Sequence, residues 1–116
     1  MSVTLNHITF DCADAARVAG FWSSVLDEDV DPGASPDFAT ITSRTSASWM
    51  FIKVPEPKSV KNRVHIDLAT ADLDAELERL AGLGAAHIAD LDEGGTRWTT
   101  LADPEGNEFD VVQMGG

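Results

Sequence analysis

Three side chains of types that commonly bind metal ions stand in strand-like segments of the sequence: His7, His65 and Asp110. Asp110 lies in the middle of the apolar segment EFDVV, which follows the turn-forming letters DPEGN. A strand interior is a costly place for a carboxylate unless one face of the strand meets water, a metal or a ligand. Imidazole and carboxylate together suit divalent metals, so these residue types indicate a metal site or a polar ligand pocket.

Alternation along the strands predicts how these side chains are presented, because successive side chains point to opposite faces. We predict strands over residues 3–10, 63–69 and 107–113, each with an apolar face toward a helix and a polar face away from it. The apolar faces carry Ile8, Phe10, Val64, Ile66, Leu68, Phe109 and Val111. The polar faces carry His7, Thr9, Arg63, His65, Asp67, Glu108 and Asp110.

The sequence repeats itself with an offset of 58 residues, half of its length of 116. HITFDCAD at 7–14 matches HIDLATAD at 65–72, and carrying the offset forward without a gap places Ile52 opposite Asp110. Each half reads as a strand, a helix and three short strands. The predicted helices cover 13–26 and 72–83, and the predicted short strands lie near 28–31, 38–43, 48–54, 86–90, 96–101 and 107–113.

The predicted helix ends have local signals. Asp11 is a plausible N-cap for the first helix, because Asp accepts hydrogen bonds from the free backbone amides of a first turn. Gly84 is a plausible C-cap for the second helix, since glycine readily adopts the left-handed conformation found there.

Composition bounds the kind of protein. A chain of 116 residues fits one domain, made here of two repeats at about 1–57 and 58–116. The formal net charge of −12 argues against a nucleic-acid partner. No apolar run approaches the roughly 20 residues that a membrane span needs, and the N-terminus does not read as a signal peptide. We therefore expect a cytoplasmic protein with no membrane partner.

The segments NHITFDCAD, KNRVHIDLATAD and DPEGNEFDVV, together with the repeat, resemble the vicinal oxygen chelate superfamily. That superfamily includes glyoxalase I, bleomycin-resistance proteins and extradiol dioxygenases. The resemblance implies an α+β fold, in which two tandem βαβββ units form a cupped, mostly antiparallel sheet around a cleft with the helices outside. It also implies a homodimer.

The resemblance further implies a ligand set. Metal ligands of the superfamily lie on the first and last strands of each unit, and the matching positions here are His7, Ile52, His65 and Asp110. Ile52 cannot bind a metal, so the four-ligand set of glyoxalase I is incomplete. The other three match the two-histidine, one-carboxylate arrangement of the extradiol dioxygenases, which leaves positions open for substrate.

The implied cofactor is a divalent ion, Fe, Mn, Ni or Zn, with no nucleotide, and the implied partner is a small molecule with neighbouring oxygens. Glu108 is the predicted catalytic base, and Arg63 and Asp67 are predicted to bind substrate. Three plainer interpretations stay open. The bleomycin-resistance branch binds ligands without metal, Asp110 can simply hydrogen-bond His65, and Glu108 and Arg63 can be solvated rim residues.

Overall fold

The computed structural model describes residues 2–115, which form two helices and seven strands in two mixed sheets. The chain divides into two compact units, Met1–Pro57 and Lys58–Gly116. The predicted α+β class and the strand–helix–strand order are confirmed. That the two units make one domain stays a prediction. Neither helix in the described part of the chain is long and apolar enough to cross a membrane.

The first unit contains a three-stranded sheet and one helix. Its elements are β1 (His7–Cys12), α1 (Ala15–Leu26), β2 (Phe38–Ile41) and β3 (Ser48–Lys53). The strand order is β1-β3-β2, with β1 parallel and β2 antiparallel to β3.

The second unit contains a four-stranded sheet and one helix. Its elements are β4 (Ile66–Thr70), α2 (Leu73–Leu83), β5 (Ala86–Glu93), β6 (Thr96–Ala102) and β7 (Glu108–Gln113). The strand order is β4-β7-β6-β5, and only the β4–β7 pair is parallel.

Equivalent aspartates begin the two helices. Asp14 accepts a hydrogen bond from the Arg17 amide at 3.1 Å, and Asp72 accepts one from the Ala75 amide at 3.1 Å. The prediction of Asp11 as the first N-cap is wrong, because that residue still belongs to β1. Gly84 is confirmed as the C-cap of α2, with a left-handed φ of 105°.

The strand predicted near 28–31 is absent from the described residues. The Asp31 amide still donates to the Thr40 carbonyl at 2.9 Å, while the Asp31 carboxylate accepts from the hydroxyls of Thr40 and Thr42. Aspartates favour such local side-chain bonds over a ladder, and Pro32 supplies no amide hydrogen. The segment therefore runs beside β2 without extending the sheet.

The strand registers correct the gapless alignment of the two halves. In the first unit Thr9 pairs with Met50, and in the second Asp67 pairs with Asp110. Thr9 and Asp67 are 58 positions apart, but Met50 and Asp110 are 60 apart. The counterpart of Asp110 is therefore Met50 and not Ile52. The first unit still offers no carboxylate at this place.

The core of the second unit confirms the predicted register of the last strand. Phe109 and Val111 are 0% and 2% exposed, so Asp110 between them points to the opposite face of the sheet. Ile66 and Leu68 are half-buried. Val64 does not join this apolar face and is 77% exposed, because β4 begins only at Ile66.

Candidate functional site

One row of the second sheet gathers polar side chains. Asp67 on β4 pairs with Asp110 on β7, and Asp110 pairs with Thr100 on β6. Paired residues on neighbouring strands point to the same face, and this is the face turned away from buried Phe109. We call the side that carries Asp67, Asp110 and Thr100 the polar face.

His65 completes the cluster from the residue just before β4. Its Nδ1 atom lies 3.0 Å from Oδ1 of Asp67 and 3.7 Å from Oδ2 of Asp110. Position 65 is two residues from position 67, so strand alternation brings both side chains to the polar face. The imidazole thus lies against both carboxylates through a single nitrogen.

Thr100 orients the more enclosed of the two carboxylates. Its hydroxyl donates to Oδ1 of Asp110 at 2.6 Å, which leaves Oδ2 directed toward His65. The Asp110 side chain is 17% exposed, against 60% for Asp67. The sequence reading missed Thr100, because no pattern within β6 reveals which residue pairs with Asp110.

Two of the three distances within the cluster, 3.0 and 3.7 Å from Nδ1 of His65, suit ligands of one divalent ion. Ligand atoms held at about 2.0–2.2 Å from one ion lie roughly 3 to 4.4 Å from each other. His65, Asp67 and Asp110 each offer a donor atom, and these atoms all lie within 4.8 Å of one another. One imidazole nitrogen and two carboxylate oxygens are a chemically suitable donor set for Mn, Fe or Zn.

Glu108 lies on the same face of β7, two residues before Asp110, but it pairs with a cation of its own. Its Oε1 atom is 3.4 Å from the Lys61 ammonium. Partial desolvation alone would raise the pKa of the Glu108 carboxyl, but Lys61, the Asn62 amide and Lys58 together lower it. A lowered pKa makes Glu108 a weaker proton acceptor, and its role as catalytic base stays a prediction.

Side-chain hydrogen bonds hold the start of β7 in place. Asp103 is 4% exposed and accepts from the amides of Glu105 and Asn107, both at 2.9 Å, which closes the turn that the sequence predicts. The Asn62 side chain donates to Asn107 at 3.2 Å and accepts from the Glu108 amide at 2.9 Å. These bonds tie the segment before β4 to β7, and so fix His65 relative to Asp110.

The remaining predicted site residues lie outside this cluster. Arg63 is exposed, and it makes no hydrogen bond or ion pair with other residues in 2–115. His7 is the half-buried first residue of β1 in the first unit. Its role as a metal ligand stays a prediction, as does the substrate-binding role of Arg63.

One aromatic residue, Trp98, belongs to the polar face, although the sequence alone does not determine which face of its strand it occupies. Trp98 is two residues before Thr100 on β6 and is half-buried, so its ring shares the face of Asp110. Trp49 instead belongs to the core of the first unit, stacked 5.5 Å from Phe10. Both tryptophans lie in strand-like segments, and only the strand register shows that Trp49 faces the core and Trp98 the polar face.

Comparisons with known proteins agree on one family. The glyoxalase-like domain family matches residues 7–112. No curated protein matches the sequence. A glyoxalase/bleomycin resistance protein/dioxygenase family enzyme from Burkholderia phytofirmans PsJN has a similar structure, with a TM-score of 0.79 and 16% identity over 96% of this chain and 98% of that one.

Two fosfomycin resistance proteins share the fold. A mutant FosX from Listeria monocytogenes, in complex with Mn(II) and 1S,2S-dihydroxypropylphosphonic acid, has a TM-score of 0.77 and 12% identity, covering 97% of this chain and 90% of that one. FosX from Mesorhizobium loti has a TM-score of 0.75 and 18% identity, covering 99% and 95%. At these identities the likeness establishes the fold alone.

Proposed function

This chain belongs to the glyoxalase-like domain family of the vicinal oxygen chelate superfamily, and from that premise we propose that it is a divalent-metal enzyme acting on a small molecule with two neighbouring oxygens. The observation that carries the proposal is the convergence of His65 and Asp110 on one face of the second sheet, with Nδ1 and Oδ2 3.7 Å apart. The Mn(II)-bound FosX relative shows that this fold can accommodate such an ion.

A bound ion would act as a Lewis acid, polarising the substrate oxygens and stabilising the negative charge that develops on them. The chain's own residues have separable tasks. His65 and Asp110 would supply ligands, His7 is a further predicted ligand, and Thr100 holds the other oxygen of Asp110 by a hydrogen bond.

The surroundings of the cluster suit an organic anion. Trp98 offers a flat apolar surface on the polar face, and Arg63 offers a guanidinium with no partner in the described residues. Glu108 is the proposed proton acceptor, and pairing with Lys61 keeps it ionised. We propose a cytoplasmic homodimer that takes small molecules and not nucleic acid, in line with the net charge of −12.

A second candidate function is metal-free ligand binding of the bleomycin-resistance type. One observation favours it: the polar groups already satisfy one another, since His65 bonds Asp67 at 3.0 Å and Thr100 bonds Asp110 at 2.6 Å. A polar cluster that is satisfied in this way, with Asp110 half-buried and His65 and Asp67 exposed, is stable without an ion.

Metal content and metal titration separate the two candidates. Protein purified without a His tag should retain a divalent metal, and after chelation it should bind Mn(II) at one site per chain by calorimetry. Asp110→Ala should abolish this binding, while His87→Ala, on an exposed edge-strand histidine, should not. Turnover on catechols and other vicinal oxygen compounds should require the metal. Wild-type protein that takes up no divalent metal would favour the binding-protein function.

A further inference from the structure

We propose that Asp67 is itself a metal ligand and binds the cation together with His65 and Asp110. The inference rests on the proposed metal-dependent function. The sequence predicts substrate binding for Asp67, and this proposal assigns it to metal binding instead.

The first argument is the position of a single nitrogen. Both carboxylates approach Nδ1 of His65, Asp67 at 3.0 Å and Asp110 at 3.7 Å. These distances lie within the roughly 3 to 4.4 Å that separates ligand atoms around one ion. The geometry therefore favours Nδ1 as the metal-binding nitrogen, with Nε2 carrying the proton.

The second argument is electrostatic. Asp67 and Asp110 are direct partners in the parallel β4–β7 ladder, and like charges in that relation repel each other. Among residues 2–115, the only basic side chain within ion-pairing distance of either carboxylate is His65. A divalent cation between the two carboxylates would remove this repulsion.

The third argument concerns which ion. One nitrogen and two carboxylate oxygens are richer in oxygen than the two-histidine, one-carboxylate set. Oxygen-rich sets suit Mn(II) and Mg(II), whereas added imidazoles favour Fe, Ni and Zn. Mn(II) is therefore the appropriate probe.

The test uses the full chain and the variant Asp67→Asn. Asparagine keeps an oxygen that can accept a hydrogen bond from Nδ1–H, so the site would tolerate the change if Asp67 only orients His65. Loss of an outer partner typically weakens metal affinity about 10–100-fold, so loss of a true ligand should exceed about 100-fold in Mn(II) affinity. A smaller loss would overturn the assignment of Asp67 as a ligand.

The chain offers a matched control. His87 and Asp90 form a second histidine–aspartate pair, also at 3.0 Å, on β5 of the same sheet. No third metal-binding residue joins that pair in the described part of the chain. Asp90→Asn should therefore leave Mn(II) affinity unchanged, and circular dichroism should establish that both asparagine variants are folded.

A second readout identifies the nitrogen. With Zn(II) as a diamagnetic ion, ¹⁵N NMR of the histidine rings should show His65 bound through Nδ1 and protonated at Nε2. A proton retained on Nδ1 would refute direct ligation. If wild-type protein binds no Mn(II), the proposed function fails as well; if it binds Mn(II) and loses it in Asp110→Ala but not in Asp67→Asn, only this inference fails.

Discussion

The equivalent ladder rows of the two units carry different side chains. In the first sheet the row is Thr9, Met50 and Thr40; in the second it is Asp67, Asp110 and Thr100. A threonine ends both rows, but only the second row carries carboxylates. In the first unit Thr40 donates to Asp31, outside the row, at 2.6 Å. Equivalent positions in the two ladders thus carry neutral side chains in the first unit and carboxylates in the second.

The apolar cores of the two units also differ, and here the first unit has more buried side chains than the second. Helix α1 buries six residues, including Phe21 and Trp22, whereas α2 buries only Leu73 and Leu80. The first unit also packs Phe10, Trp22 and Trp49 ring against ring, with centroids 5.1 to 5.6 Å apart. Burial is the main source of folding free energy. The comparison teaches that the first unit is richer in apolar packing and the second in polar chemistry.

The largest expected effect tests the packing half of this comparison. Trp22→Ala removes a 0% exposed ring and should lower the free energy of unfolding by about 3–5 kcal/mol. Trp98→Ala, at a half-buried position, should cost clearly less. Urea denaturation followed by circular dichroism measures both. Equal losses would mean that the first core is not the more tightly packed one.

A gain of function would test the row itself. Thr9→Asp combined with Met50→Asp writes the charged row into the first unit, where His7 lies two residues before position 9. We expect calorimetry to show a second Mn(II) site. The control combines Thr9→Asp with Ile52→Asp, which is the pairing that a gapless repeat would choose, and should add none. A second site in the control alone would contradict the register.

Removing the hydroxyl that orients Asp110 should have a moderate effect. Thr100→Val keeps the shape of the side chain and deletes the 2.6 Å hydrogen bond, so Mn(II) affinity should fall about 10–100-fold. Thr99→Val, on the opposite face of the same strand, deletes a bond to Asp90 and should leave Mn(II) affinity unchanged. Equal affinities in the two variants would exclude a role for Thr100 in the site.

The smallest effect concerns pH. The folded-state pKa of Glu108 is lowered from its ordinary value of 4.5, so its interactions stabilise the fold above that pH and are lost as pH falls through the folded pKa. Lys61→Met removes the main cation and should reduce stability at neutral pH by less than about 1 kcal/mol. The difference from wild type should shrink in acid. A difference that grows below pH 4.5 would reverse the assigned sign.

Strand periodicity was enough to predict the face of Asp110, because Phe109 and Val111 had to be buried. The fold class came from the internal repeat and the resemblance to the vicinal oxygen chelate superfamily. Periodicity placed Asp67 on the same polar side as Asp110, but it could not predict that Asp67 and Thr100 are the direct ladder partners of Asp110, since pairing between strands depends on loop lengths that leave no periodic signal. The wrong alignment of Ile52 with Asp110 has the same cause. The cap was misplaced because Asp11 and Asp14 are chemically equivalent, and only the end of β1 distinguishes them.

The two-residue difference between the repeats can be located. Thr40 and Met50 are as far apart as Thr100 and Asp110, so the hairpins have kept their length. The helices begin at matching caps. The change in length therefore falls between the helix cap and the ladder row, in residues 15–39 of the first unit and 73–99 of the second. Residues 27–37 of the first unit contain no strand, whereas β5 of the second unit pairs with β6 in the corresponding stretch, so an engineered insertion would be tolerated best in 27–37.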